Sequence, residues 1–298
     1  MRVFVTGATG FIGRAVVREL LGAGHRVVGL ARSDAAAASL AAAGVGVHRS
    51  ALDDLDSLGS AAAASDGVIH TAYVRHFSDF AAAAQTDRRA IEALGEALAG
   101  SDRPFVITSG TTFLTSGRVA TEDSAPDPGS VGALRLVSEQ AALSFAARGV
   151  RVSVVRFPPS VHGEGDHGFV PILIGIARTK GVSAYVGGGS NRWAAVHRLD
   201  AAHLFRLALE TTPAGARLHG VGEEGVPFRD IAEVIGQHLT LPITTISHEQ
   251  ADDHFGFLGP IVTLDCPASS ALTQQQLGWH PVQPALIPDL DEGHYFNH

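Results

Sequence analysis

The 298-residue chain exceeds the roughly 100–200 residues typical of one domain, and its 45% hydrophobic and 17% charged residues describe an ordinary folded protein. A formal charge of −8 excludes a general nucleic-acid binder, which needs a basic face against phosphates; 21 of the 22 basic residues are arginines, which leaves room for one local anion pocket. The single cysteine, Cys266, excludes an internal disulfide, and no apolar run nears the ~20 residues of a membrane-spanning helix. With a first strand starting at Arg2 there is no visible secretory leader, so a cytoplasmic protein without membrane partners is expected.

Short β-branched runs then alternate with longer helical stretches. Strands are expected at 2–7, 26–32, 45–50, 67–72, 104–109 and 151–157, and helices at 12–23, 34–43, 55–64, 80–100 and 134–149. Strands separated by helices of that length need parallel crossovers, which predicts an α/β fold with a doubly wound parallel sheet covered on both faces. Past Phe157 the rhythm changes. The segment "PPSVHGEGDHG" (158–168) reads as a loop, followed by a helix near 169–180, a strand running into a helix over 193–210, a strand at 216–222, a helix at 227–239 and a strand at 242–247. A nucleotide-binding domain over 1–157 and a smaller substrate lobe over 158–298 are expected, with segments around 193–222 rejoining the first.

"TGATGFIG" (6–13) ends the first strand and opens the first helix. Gly7 permits the tight turn, Gly10 lets backbone approach a pyrophosphate, and Gly13 lets helix pack on strand. That strand–turn–helix context is what a dinucleotide fingerprint requires. The spacing T-G-x-x-G-x-x-G resembles the short-chain dehydrogenase/reductase superfamily in its extended form, the NAD-dependent epimerase/dehydratase family. "GVIHTAY" is similar to that family's fourth-strand motif, "FVITSG" to its fifth strand, "PPSVHGEG" to the loop ending V-Y-G-P-G, and "WAAVHRLDAAHLFRLALE" to its V-H-V-x-D-x-A segment. The resemblance spans nearly the whole chain and implies a Rossmann-type fold. It also implies a cofactor site built from Gly7, Thr9, Gly10, Phe11, Ile12 and Gly13, from Thr71, Ala72, Tyr73 and Thr108, and from Pro158 and Ser160. Leu52 and Asp53 match the adenine-contacting stretch, although its usual acidic residue falls at Ala51. Arg32 and Ser33 stand where NAD-preferring members carry a carboxylate; an arginine there suits the 2′-phosphate of NADP, so NADP is expected, with NAD the alternative.

Members of the family use a Tyr-x-x-x-Lys pair on the helix after the fifth strand, helped by a serine or threonine. This chain has neither: its one lysine is Lys180, and aligning 134–149 puts Arg135 at the tyrosine and Glu139 at the lysine. An arginine stays charged at any working pH and cannot serve as proton donor, yet its fork can hold a carboxylate or stabilise an oxyanion. Glu139, one turn on, is placed to pair with Arg135 or to accept from ribose hydroxyls. The serine position falls near Gly110, beside Ser109, Thr111 and Thr112. Proton donors are then sought in Tyr73 and His76 after the fourth strand, in Thr111, and in His162 and His167; a histidine titrates near neutrality. "HGEGDH" (162–167) mimics a metal cluster without a helical frame, and no metal is expected. Arg192, His197 and Asp200 are candidates for the substrate side or the lobe junction, and Phe77, Phe169 and Trp193 for an apolar pocket.

The expectation is an NAD(P)-dependent oxidoreductase acting on a small, potentially anionic carbonyl, imine or activated alkene, assembled as a homodimer through helices 80–100 and 134–149. Alternatives are a silent NADP-binding sensor and, less favoured without the tyrosine, a sugar-nucleotide epimerase or dehydratase.

Overall fold

The computed structural model describes residues 1–73, 80–114 and 116–297. The N-terminal part alternates β1 (Arg2–Thr6), α1 (Phe11–Gly22), β2 (Arg26–Ala31), α2 (Asp34–Ala42), β3 (Gly46–Arg49), α3 (Leu55–Ala63), β4 (Gly67–His70), α4 (Phe80–Leu98), β5 (Pro104–Gly110), α5 (Ala133–Ser144) and β6 (Arg151–Phe157). Next come β7 (Ser160–His162), α6 (Phe169–Lys180), β8 (Ser183–Val186), β9 (Arg192–His197), α7 (Arg198–Thr211), β10 (Ala216–His219), β11 (Glu223–Pro227), α8 (Phe228–Leu239) and β12 (Ile243–Ile246). Seven strands form one sheet in the order β10-β6-β5-β4-β1-β2-β3, every pair parallel. This is a Rossmann-type fold.

The strands read as unbroken apolar runs because both faces are covered: all four residues of β4 are buried, as are six of the seven in β6. On one face β1, β2 and β6 pack against α1 and α7 through Val16, Leu20, Leu204 and Phe205; on the other, Phe4, Val68, Phe105 and Val152 pack against Leu58, Ile91, Leu94 and Phe145. Each such side chain contributes roughly 1.5–3 kcal/mol on leaving water. Close approach of α4 to the turn that follows α5 depends on Gly95, where a Cβ would come within 2.5 Å of the Phe145 ring. Strand order reverses between β1 and β4, which places the ligand crevice at the carboxyl ends of those strands.

The C-terminal lobe has its own core, and β7 and β11 flank β9 in a second sheet. The stretch 158–168, expected wholly as loop, therefore contains a strand: Ser160 and His162 register with Ala195 and His197. Trp193, expected at a pocket, belongs to the lobe core instead, fully buried and edge-on to Phe228 at 5.0 Å, and the partly buried Phe169 packs against that core. β10 is the edge strand of the large sheet, and the carboxylate of Asp200 at the start of α7 accepts from Val282 N and Gln283 N, both at 3.0 Å. Arg192 is locked by two contacts to Asp265, at 2.9 and 2.8 Å. Burial pushes the Cys266 thiol up to about 12, leaving it inert as a nucleophile.

Candidate functional site

The glycine turn has the geometry its sequence implies. Gly7 sits at φ +71°, and a Cβ there would lie 2.7 Å from both Ala72 N and Thr71 Oγ1. A Cβ on Gly13 would run into the Gly7 carbonyl, so β1 and α1 approach as closely as they do only because both are glycines. At Gly10 a Cβ would meet only Gly7 O, at 3.1 Å, leaving open the space before the first turn of α1. A helix N-terminus with a backbone cradle of this form fits a dinucleotide pyrophosphate. Thr71 Oγ1 donates to Thr6 O at 2.8 Å and Thr108 Oγ1 to His70 O at 3.0 Å, so these hydroxyls fix the strand ends beside the cradle.

At the end of β2, Arg32 is exposed. Ser33 caps α2, its Oγ accepting from Ala36 N at 3.2 Å. Asp34 is held by Arg49 at 2.7 Å, which draws the nearest carboxylate toward β3. Leu52 packs on the core beneath, and Asp53 is exposed.

Arg135 lies at the sheet's carboxyl edge and is engaged on three sides. Nη1 donates to Asp87 Oδ2 on α4 at 3.1 Å, Nη2 donates to the Thr108 carbonyl at 2.6 Å, and the guanidinium covers the Tyr73 ring 4.3 Å from its centroid. Asp87, only 1% exposed, also contacts His70 Nε2 at 3.0 Å, and His70 Nδ1 contacts Thr6 Oγ1 at 2.8 Å. A polar chain Thr6–His70–Asp87–Arg135 thus runs from β1 through β4 and α4 to α5, ending under a phenol. Burial alone would raise the Asp87 carboxyl, but Arg135 and the His70 hydrogen bond outweigh it and hold it below the ordinary 3.8. Tyr73 is half-buried; burial lifts its phenol above 10.0, further than the charge of Arg135 draws it down. Tyr73 therefore stays protonated through the neutral range.

Glu139 takes no part in this chain, and its expected pairing with Arg135 is corrected. Its carboxylate accepts from Arg156 Nε at 3.1 Å and Nη2 at 2.6 Å, with Arg217 Nε at 3.4 Å. Arg156 projects from β6, is 1% exposed and needs a full counter-charge, which outcompetes an (i, i+4) contact along a helix. His162 is likewise committed elsewhere: it is buried, with Nδ1 2.8 Å from Asp289 Oδ2, and its ring meets His197 edge-on at 5.4 Å. Nor does "HGEGDH" converge on one point, since the exposed His167 lies edge-on to Phe11 at 5.8 Å. Among the described residues the donors that gather are Asp289, Glu292 and His294, within 4.8 Å of one another. Ser109, Thr111 and Ser160 are buried with hydroxyls lacking a partner among the described residues, and Thr111 N donates to Phe157 O at 2.9 Å. Pro158 is buried at the end of β6. His76 and Phe77 lie outside the described residues.

Sequence reasoning missed Asp87 and His70. A histidine inside the apolar run "GVIH" and an aspartate inside an alanine-rich helix were the available signals.

Residues 3–219 match the family model described as NAD dependent epimerase/dehydratase family. An uncharacterised protein of Schizosaccharomyces pombe is 52% identical over 298 residues, covering 99% of this chain and 100% of that one. A sterol-4-alpha-carboxylate 3-dehydrogenase (decarboxylating) of Dictyostelium discoideum is 27% identical over 251 residues, 76% of this chain and 73% of its own. Among solved structures, a dTDP-glucose 4,6-dehydratase of Streptomyces venezuelae with NAD bound superposes with a TM-score of 0.79 at 20% identity, covering 99% of this chain and 96% of that one.

Proposed function

Because the chain belongs to the NAD-dependent epimerase/dehydratase family, we propose that it is an NADP(H)-dependent reductase of a small carbonyl, imine or activated alkene, with Tyr73 supplying the proton. The observation that carries this reading is the Arg135 guanidinium stacked on a protonated phenol at the carboxyl edge of the sheet, beside the glycine cradle. When bound, the nicotinamide supplies the hydride.

The chain's own residues handle the rest. Arg135, aligned with the family's tyrosine, cannot give up a proton and acts instead as a fixed cation, the part the family's lysine plays. Phenolate character developing on Tyr73 as it gives up its proton is stabilised by the guanidinium above it. Asp87 and His70 hold that guanidinium in place from below. Thr111, whose hydroxyl lacks a partner among the described residues, is suited to donate to the substrate oxygen. Exposed Arg32, next to a capped helix start, suits a 2′-phosphate and supports NADP over NAD. Val131, Leu134 and Val137, each at least 41% exposed on or beside α5, support a homodimer through that helix.

One observation favours a second reading, a sensor that binds without turnover: both terminal nitrogens of Arg135 already have partners. Sugar-nucleotide chemistry rests only on fold neighbours and is the weaker alternative. The test is to titrate NADPH and NADH by fluorescence and then follow the nicotinamide absorbance against carbonyls, imines and enones. Turnover that falls about 10²–10⁴-fold in Tyr73→Phe, with cofactor affinity kept, is the expected result. Binding with no turnover of any substrate supports the sensor.

A further inference from the structure

We propose that Arg198 forms a second, cationic wall of the pyrophosphate site, a role that rests on the reading of this chain as a dinucleotide binder. The segment "VHRLD" follows the V-H-V-x-D pattern except at Arg198, where the pattern has valine. That single departure puts a fork of N–H donors at the turn from β9 into α7.

The fold brings this turn to the mouth of the glycine cradle. The Arg198 guanidinium carbon is 5.3 Å from the ring centroid of Phe11, the first residue of α1 and the neighbour of Gly10. The stem packs close against Gly163, and the helix start it projects from is capped. His197 caps α7 through Nδ1, which accepts from Leu199 N at 3.3 Å, and Gly163 at φ +131° presses so close that a Cβ there would lie 3.2 Å from Arg198 Cγ. The head, in contrast, meets the Phe11 ring but no counter-charge among the described residues. Arg198 Nε is buried without a hydrogen-bond partner, and no carboxylate pairs with this guanidinium among the described residues. Arg156, Arg192 and Arg206 show the usual arrangement, each paired with a glutamate or aspartate at 2.6 to 2.8 Å.

A partly buried cation with no counter-charge is costly unless an anion arrives. The ring it covers belongs to Phe11, which opens α1, and the first backbone N–H groups of that helix also lack intrahelical acceptors and favour negative charge. A diphosphate bridging two ribosides matches both: backbone donors take oxygens on one side and the arginine fork takes them on the other. The contact is common to NADP(H), NAD(H) and ADP-ribose, which distinguishes it from Arg32, proposed to read only the 2′-phosphate.

The experiment measures dissociation constants of ADP-ribose, NADPH and NADH for the wild type, Arg198→Val and Arg198→Lys by calorimetry, with a thermal melt of each ligand-free protein. Charge-assisted hydrogen bonds of about 1.5–3 kcal/mol predict a loss of roughly 10- to 100-fold in Arg198→Val for all three ligands, with a smaller loss in Arg198→Lys. The ligand-free Arg198→Val protein should melt close to the wild type, since relief of the unpaired cation offsets the lost contact with the Phe11 ring. Affinities within twofold of the wild type for all three ligands would overturn the proposal, as would a loss confined to NADPH. A wild type that binds none of the three overturns the dinucleotide reading and this role with it.

Discussion

At the scale of single residues, buried charge decides roles that spacing along the chain leaves open. Glu139 neutralises Arg156 in a two-point contact between side chains that are 2% and 1% exposed. Glu139→Ala strands the arginine and should lower unfolding stability in urea by about 3–5 kcal/mol. A glutamate that instead held the cofactor's ribose would show lost affinity with unchanged stability. Arg32→Ala should weaken NADPH by roughly tenfold and leave NADH alone, as removal of one charged contact worth about 1.4 kcal/mol implies; equal effects on both cofactors would remove Arg32 from the 2′-phosphate site. The glycine turn was legible residue by residue, because each glycine answers a local steric demand. Asp87 was not, because its partners lie 17 and 48 residues away and nothing local to an alanine-rich helix says that its one aspartate faces inward.

Elements carry the site through how closely they pack. The start of α5 rests on the turn after β5: a Cβ on Gly132 would overlap Thr112 Oγ1 and stand 2.8 Å from Phe113 N. Gly132→Ala should therefore push α5 outward, cost about 1–3 kcal/mol of stability, and shift Arg135 off Tyr73. Lost turnover with cofactor binding retained is the expected signature; unaltered turnover would mean that the position of α5 does not set the catalytic geometry. Alternation of strands and helices made the doubly wound sheet readable, since helices of that length enforce parallel crossovers. The second lobe was harder to read. β7 is three residues long inside a Pro/Gly-rich stretch, and only pairing with β9 makes it a strand. His162 at its end is tied to Asp289, 127 residues later, a contact no local pattern announces.

Over the whole molecule, the histidines give stability a pH dependence of definite sign. His197, His219 and His254 are all held below 6.5, in each case first by burial; the charge of His162 adds to this at His197 and that of Lys180 at His254. Asp289 and Asp200 oppose the shift at His197, and Glu122 opposes it at His219, without reversing it. The unfolded chain therefore takes up protons first as the pH drops below 6.5, so stability present at higher pH is lost as it falls toward the folded values. Asp87, held below 3.8, extends the loss into the acid range. Tm should be lower at pH 5 than at pH 7.5, and a flat or rising Tm would contradict this balance.

On the proposed reading, a chain lacking the family's tyrosine and lysine still moves hydride, with Arg135 and Tyr73 in their stead. The decisive measurement is to incubate the wild type with NADPH dideuterated at C4 and a panel of carbonyls, imines and enones, then analyse the products by mass spectrometry. One deuterium in the product of at least one substrate, abolished in Tyr73→Phe, is the predicted result. Saturating NADPH binding with no deuterium in any product, or undiminished transfer in Tyr73→Phe, would contradict it.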